Sequence, residues 1–156
     1  MPKRIYSSAG DGYFESFDYG ESWNSPRAGL EHHHYLAGLA VDSGDPQNVV
    51  VSASHSAWQA HSIESAESLA YRMCSEGENG NNQEWKPITN DLPEPSGTII
   101  SVLTANPNVA GEFYAINNRG IFCSTDSGNS WKMLDGIAWP KQYLSQHPRA
   151  LVVREN

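Results

Sequence analysis

Cysteine is nearly absent: Cys74 and Cys123 are the only two in 156 residues. Two thiols do not make a disulfide framework, so a reducing compartment is the simpler setting. No run of about 18 apolar residues occurs, which excludes a membrane-spanning helix. Met1-Pro2-Lys3-Arg4-Ile5-Tyr6 leads straight into a strand-like segment without the apolar core of a secretion signal, so the expectation is a cytoplasmic protein. Positive charge is scarce as well. Ten Lys and Arg against eighteen Asp and Glu leave a net charge of −8. So acidic a surface predicts neither nucleic acid nor an anionic membrane as a partner. Serine-nucleophile motifs, phosphate-cradling glycine loops and Cys-x-x-Cys pairs are also missing.

Aromatic rings and internal repeats are what the chain does contain. Hydrophobic residues make up 38%, a low share for a globular domain. Five Trp and seven Tyr offset it, because each large ring buries more area than an aliphatic side chain. The length suits a single domain, residues 1–156, with a real core.

Ser16-Phe17-Asp18-Tyr19-Gly20-Glu21-Ser22-Trp23 and Ser124-Thr125-Asp126-Ser127-Gly128-Asn129-Ser130-Trp131 share the pattern Ser-x-Asp-x-Gly-x-Ser-Trp. The Asp is suited to accept backbone N–H bonds two residues on, and the Gly to supply a positive φ. The Trp is placed to pack on the hairpin as the next strand begins. A degenerate third copy runs from Tyr71 to Gly77 and resumes at Glu84-Trp85, with Glu78 to Gln83 as a lengthened hairpin loop.

Aligned on these octads, the chain reads as four-strand units, A to D from the inside. Leu36 to Asp42 and Ile99 to Ala105 read as A strands, Val49 to Ala53 and Glu112 to Ile116 as B. Ala70 to Cys74 and Gly120 to Cys123 read as C, and D strands begin at Trp85 and Trp131. Residues 1–30 supply B, C and D, residues 35–90 and 98–135 one whole unit each, and residues 148–156 a lone A strand.

The octads resemble the Asp-box (BNR) repeats of sialidases, related glycoside hydrolases and uncharacterised bacterial β-propellers. The resemblance implies an all-β fold with three propeller-blade equivalents of four antiparallel strands. It also implies that Ser16, Asp18, Gly20, Trp23, Ser124, Asp126, Gly128 and Trp131 are structural, on the face opposite any ligand. Three blades are too few to close a ring, and unpaired strand edges invite pairing with another chain. The expectation is therefore a six-bladed propeller formed by a homodimer through the N- and C-terminal strands. Half of a longer single-chain propeller fits the same count.

In such propellers the D–A and B–C loops share the ligand-binding face, where all six histidines fall. His34, Tyr35, His55, Trp58, Arg119 and Trp139 are the candidate ligand-binding residues there. Alternate residues of a strand share a side, so His32 and His34 are the pair a metal would need, but no ligand spacing to a carboxylate accompanies them. Neither metal nor cofactor is expected. Ala57 to Leu69 reads as a short helix, with Ile63, Ala66 and Leu69 on one side. Cys74 and Cys123 hold equivalent places in neighbouring blades, too far apart for a disulfide.

A glycosidase needs two carboxyl groups flanking the bond, and Glu31, Glu64, Glu67 and Glu94 lie on suitable loops. The Arg-Ile-Pro segment of sialidases is missing, and of six arginines only Arg27, Arg119 and Arg149 fall near the expected face. The reading therefore leans to a non-catalytic propeller that binds a small molecule, glycan or peptide, or acts as a scaffold. Its alternative is a glycoside hydrolase or lyase using loop carboxylates.

Overall fold

The computed structural model describes residues 3–76 and 82–154. Every strand pairing is antiparallel. β1 (Ile5–Ala9) and β2 (Gly12–Ser16) form a two-stranded sheet, which an isolated bridge from Glu15 to Asn24 extends. β3 (Tyr35–Val41), β4 (Val49–Ser54), β5 (Ser68–Glu76) and β6 (Asn82–Pro87) form a four-stranded meander. β7 (Val102–Ala105), β8 (Phe113–Asn117), β9 (Gly120–Ser124) and β10 (Lys132–Met133) form another. Among the described residues no helix is long and apolar enough to cross a membrane.

Burial along the strands shows how the sheets stack. β4 is buried at all six positions, because its sheet is covered on both faces. Val49, Val51 and Ala53 join Tyr13, Leu30, Met73 and Trp85 on one side. Val50 faces the other way, into a cluster with Ala70, Leu103, Phe113, Phe122 and Trp131. A strand covered twice reads as the continuous run Val49-Val50-Val51. β8 has one covered face and alternates between buried and half-buried from Phe113 to Asn117.

The first strands of the two meanders touch at Gly38, beside a register shift between Leu36 and Gly38. A Cβ there would lie 2.3 Å from the Ser101 carbonyl oxygen, so only glycine fits. Ser101 N donates to Ser52 Oγ at 2.9 Å and pins the contact.

Both octads fold into the same turn. Gly20 N donates to Ser16 Oγ at 2.8 Å, and Gly128 N to Ser124 Oγ at 2.9 Å. Ser22 N and Ser130 N each donate to their Asp Oδ1 at 2.9 Å. The Asp therefore reaches four residues on, further than the expected two. Tyr19 and Ser127 share positive φ with the glycines, so the turn takes two successive residues in that region. The Ser22 hydroxyl and amide, then the Ser16 hydroxyl, hold the Asp18 carboxyl down at about 2. Burial pushes the Asp126 carboxyl up, but the Ser130 hydroxyl and amide outweigh it and leave it below the usual range.

Trp85 and Trp131 each pack towards the preceding sheet. Trp85 meets Tyr13 edge-on at 5.0 Å and donates to the Pro26 carbonyl at 3.0 Å. Trp131 sits among Val50, Ala70 and Ile88. Trp23 has no preceding sheet among the described residues and is 46% exposed.

Three expectations change in detail. The helix, α1, spans only Ala57–His61; Ile63 is exposed and Leu69 lies within β5. The chain has to return so that Ser68 can pair with Ser54, which leaves room for little more than one helical turn. Residues 149–154 form no strand, since a strand needs a partner, and Val152 is 85% exposed. Of the lengthened loop, residues 78–81 lie outside the described residues, while Asn82 and Gln83 belong to β6. Cys74 and Cys123 are both free thiols.

Candidate functional site: the histidine end

A meander puts its first and third turns at one end and its second turn and outgoing connection at the other. The octads and the β3–β4 and β7–β8 turns share the first end. Asp42 holds that end together by accepting from Gly44 N at 2.8 Å, Asn48 Nδ2 at 2.9 Å and Gly111 N of the next sheet at 2.9 Å. Burial pushes its carboxyl up, but the Gly111 and Gly44 amides outweigh it and leave it below the usual range. Ser127 N, in the second octad, also donates to Gly111 O, at 2.9 Å. The octads are thus built into the scaffold, at the end opposite the histidines.

At the other end lie the β2–β3, β4–β5, β6–β7 and β8–β9 connections and the segment after β10. Here two histidine groups form. In the first, His33 Nδ1 lies 2.7 Å from Tyr71 Oη, and the His33 and His55 rings are 4.3 Å apart. His55 Nε2 lies 3.9 Å from Glu67 Oε1, and Gln59 Nε2 donates to Glu67 Oε2 at 3.3 Å. Burial, then the neighbouring His55, lower the His33 pKa.

The second group is a hydrogen-bonded chain. Tyr35 Oη is 2.8 Å from His61 Nε2, His61 Nδ1 is 2.6 Å from His147 Nε2, and His147 Nδ1 is 2.6 Å from the Pro148 carbonyl. A carbonyl only accepts, so His147 Nδ1 carries a proton. Neutral His147 then accepts from His61 Nδ1–H, and neutral His61 accepts from the Tyr35 hydroxyl. One tautomer set satisfies every link. Burial first, then His147 and Arg149, lower the His61 pKa.

The segment after β10 is tied down at two further points. Asn118, 1% exposed, donates to the Gly97 and Leu144 carbonyls at 2.9 and 3.1 Å. Its own carbonyl accepts from Trp139 Nε1 at 2.9 Å. Trp139 thereby serves as an anchor, and it meets Tyr143 edge-on at 5.3 Å.

The other candidates are spread over this end. His34 is exposed and lines a cleft of about 390 Å³ with Tyr13, Arg27, Leu30 and Glu31; Tyr35, Trp58 and Arg119 do not line it. Trp58 stands on α1 with 64% of its surface exposed. Arg119 is exposed and donates to the Ser96 carbonyl at 3.3 Å. His55 is drawn into the first histidine group. A second cavity of about 140 Å³ opens beside Ser68, Ile88, Pro93 and Thr98. Of the four loop carboxylates, Glu31 accepts from Gly29 N at 3.0 Å, and its own and the Gly29 amides lower its pKa, so it stays ionised near neutrality.

His33, Tyr71 and the His61–His147 link are the contributors that sequence reasoning missed. The paired candidates were His32 and His34, on the premise of strand alternation. Residues 31–34 are not a strand, and the middle histidine turns inward. No local signal marks a Tyr 38 residues away as its partner.

No family model and no curated protein matches the chain. Solved structures do. A structure of YCF48 bound to D1 peptide aligns at a TM-score of 0.53 and 16% identity, covering 86% of this chain and 37% of that one. An ancestral GH74 enzyme aligns at 0.54 and 16%, covering 86% of this chain and 17% of the enzyme. The chain therefore spans little more than a third of one and about a sixth of the other. At such identity the likeness concerns the fold alone: an all-β, propeller-like arrangement of antiparallel sheets.

Proposed function

We propose that this chain is a non-catalytic ligand-binding segment of a β-propeller, taking a small molecule, glycan or peptide at its histidine end. The observation that carries this is Trp58. A large ring 64% exposed on a helical turn serves no core, and it stands in the β4–β5 connection that also supplies His55 and His61. Exposed aromatic faces beside a few polar groups are what sugar and peptide ligands use. Fold alone does not confer chemistry.

The test is a glycan, peptide and metabolite binding screen on the protein, repeated with Trp58→Ala. A hit weakened at least tenfold by that change supports the reading. The glycoside-hydrolase alternative predicts instead that an oligosaccharide is cleaved, and that Glu64→Gln, Glu67→Gln or Glu94→Gln stops the cleavage.

The same proposal includes closure. The octads are read as Asp-boxes, the sheets as three blade equivalents, and the ring as six blades made by two copies. Among the described residues β1 pairs with β2 alone, so the other edge of β1 offers free N–H and C=O groups. Ala150-Leu151-Val152-Val153 is an apolar stretch without a strand partner. Each supplies what the other lacks, antiparallel as β3 lies on β4. A two-fold axis then satisfies both edges at once.

A further inference from the structure

Among the described residues two buried side-chain atoms at the histidine end lack a partner, Ser68 Oγ and His33 Nε2. His33 Nε2 is shielded from solvent and has no hydrogen-bond partner, which is costly for a ring nitrogen. The other ring nitrogen, Nδ1, is taken by Tyr71 Oη at 2.7 Å. When Nδ1–H donates to that oxygen, Nε2 carries a lone pair and no proton.

Beside this ring the fold assembles further donors. One ligand atom each from His33, His55 and Glu67 all lie within 4.8 Å of one another. They come from two connections, His33 from the one before β3 and His55 and Glu67 from the two ends of the one between β4 and β5, all serving one sheet. The Gln59 amide bond to Glu67 Oε2 leaves Oε1 turned towards His55.

We propose that His33, His55 and Glu67 bind a divalent transition-metal ion of the zinc type, with Tyr71 as the residue that fixes the His33 tautomer. Two imidazole nitrogens and one carboxylate oxygen suit zinc better than magnesium or calcium, which prefer all-oxygen shells. Bonds of about 2.0–2.2 Å in a tetrahedron need ligand atoms roughly 3.4 Å apart. Contraction from the observed spacing falls to His55 and Glu67, whose side chains are 40% and 43% exposed. Three protein ligands leave a fourth position open to water or to an anionic group of a ligand. The tyrosine takes the place usually held by a second-layer carboxylate or carbonyl behind a metal-bound histidine. None of these residues depends on ring closure, so the site stands or falls apart from that proposal.

The experiment is calorimetric titration of chelator-treated protein with zinc chloride, with cobalt(II) absorption as a second readout of coordination geometry. One zinc per chain and a tetrahedral cobalt spectrum are expected. His55→Ala and Glu67→Gln, both half-exposed positions that should fold normally, should each abolish the spectrum. Tyr71→Phe should weaken zinc binding about tenfold. His61→Ala, in the other histidine group, should leave it unchanged. Absence of zinc uptake, or uptake that survives His55→Ala and Glu67→Gln, overturns the assignment.

Discussion

Trp23 and Trp131 close the same octad in the same turn, yet Trp131 is 2% exposed and Trp23 is 46% exposed. Nothing within the octads accounts for the difference. Trp131 is covered because the sheet of β3–β6 lies against it; Gly128, in the same turn, comes so near that a Cβ there would meet Val50 at 3.0 Å. Among the described residues no such sheet lies beside Trp23. Phe17 and Tyr19, 42% and 57% exposed, widen the bare patch around the first octad.

Under the proposed closure, a second copy would cover that patch. Acrylamide quenching of a variant with Trp23 as its sole fluorescent tryptophan should fall as protein concentration rises. Quenching that stays high at every concentration shows that no sheet docks there.

The octad serines carry structural weight. Ser124 is buried and satisfies the Gly128 amide while donating to Asp126 at 2.9 Å. Ser124→Ala leaves a buried N–H unpaired and should cost about 1–3 kcal/mol in denaturant unfolding. Ligand binding at the far end should survive. A variant of full stability that loses binding would place the octad in the site instead.

Gly38→Ala probes the contact between the two meanders. Its methyl meets a backbone oxygen, which cannot rotate away as a side chain would. The expected loss is about 1–3 kcal/mol or more, together with weaker protection of the β3 amides in hydrogen exchange. An unchanged midpoint would mean that β3 and β7 are less closely apposed than described.

The His61–His147 chain makes the histidine end acid-sensitive. His61 has a folded-state pKa below its ordinary value of about 6.5, so the unfolded chain binds protons more readily between the two values. Stability is full above about pH 6.5 and declines as pH falls through the folded pKa. Arg149 and His147 face His61 and act in the same direction. His61→Phe should remove that part of the decline below about pH 6.5. An equal slope in wild type and variant would assign the acid sensitivity elsewhere.

The fold could be read from the sequence because its signals are local. Each octad makes its own hydrogen bonds within eight residues, and Val49-Val50-Val51 announces a strand covered on both faces. Segments defined by a partner were harder. Residues 149–154 have strand composition but no strand to join, and the helix after Ser56 stops where β5 has to begin. That the candidate residues gather at one end of the sheets was legible, since turns and connections alternate by topology. Its internal pairings were not readable, because His33 finds Tyr71 and His61 finds His147 across 38 and 86 residues.

Solution mass tests the central claim most directly. Sedimentation equilibrium from low to high micromolar concentration should give twice the chain mass, dissociating on dilution. Val152→Asp, which puts a charge on the unpaired apolar stretch, should shift the balance to the single chain. A folded single chain at every concentration, unaffected by Val152→Asp, would contradict closure by a second copy.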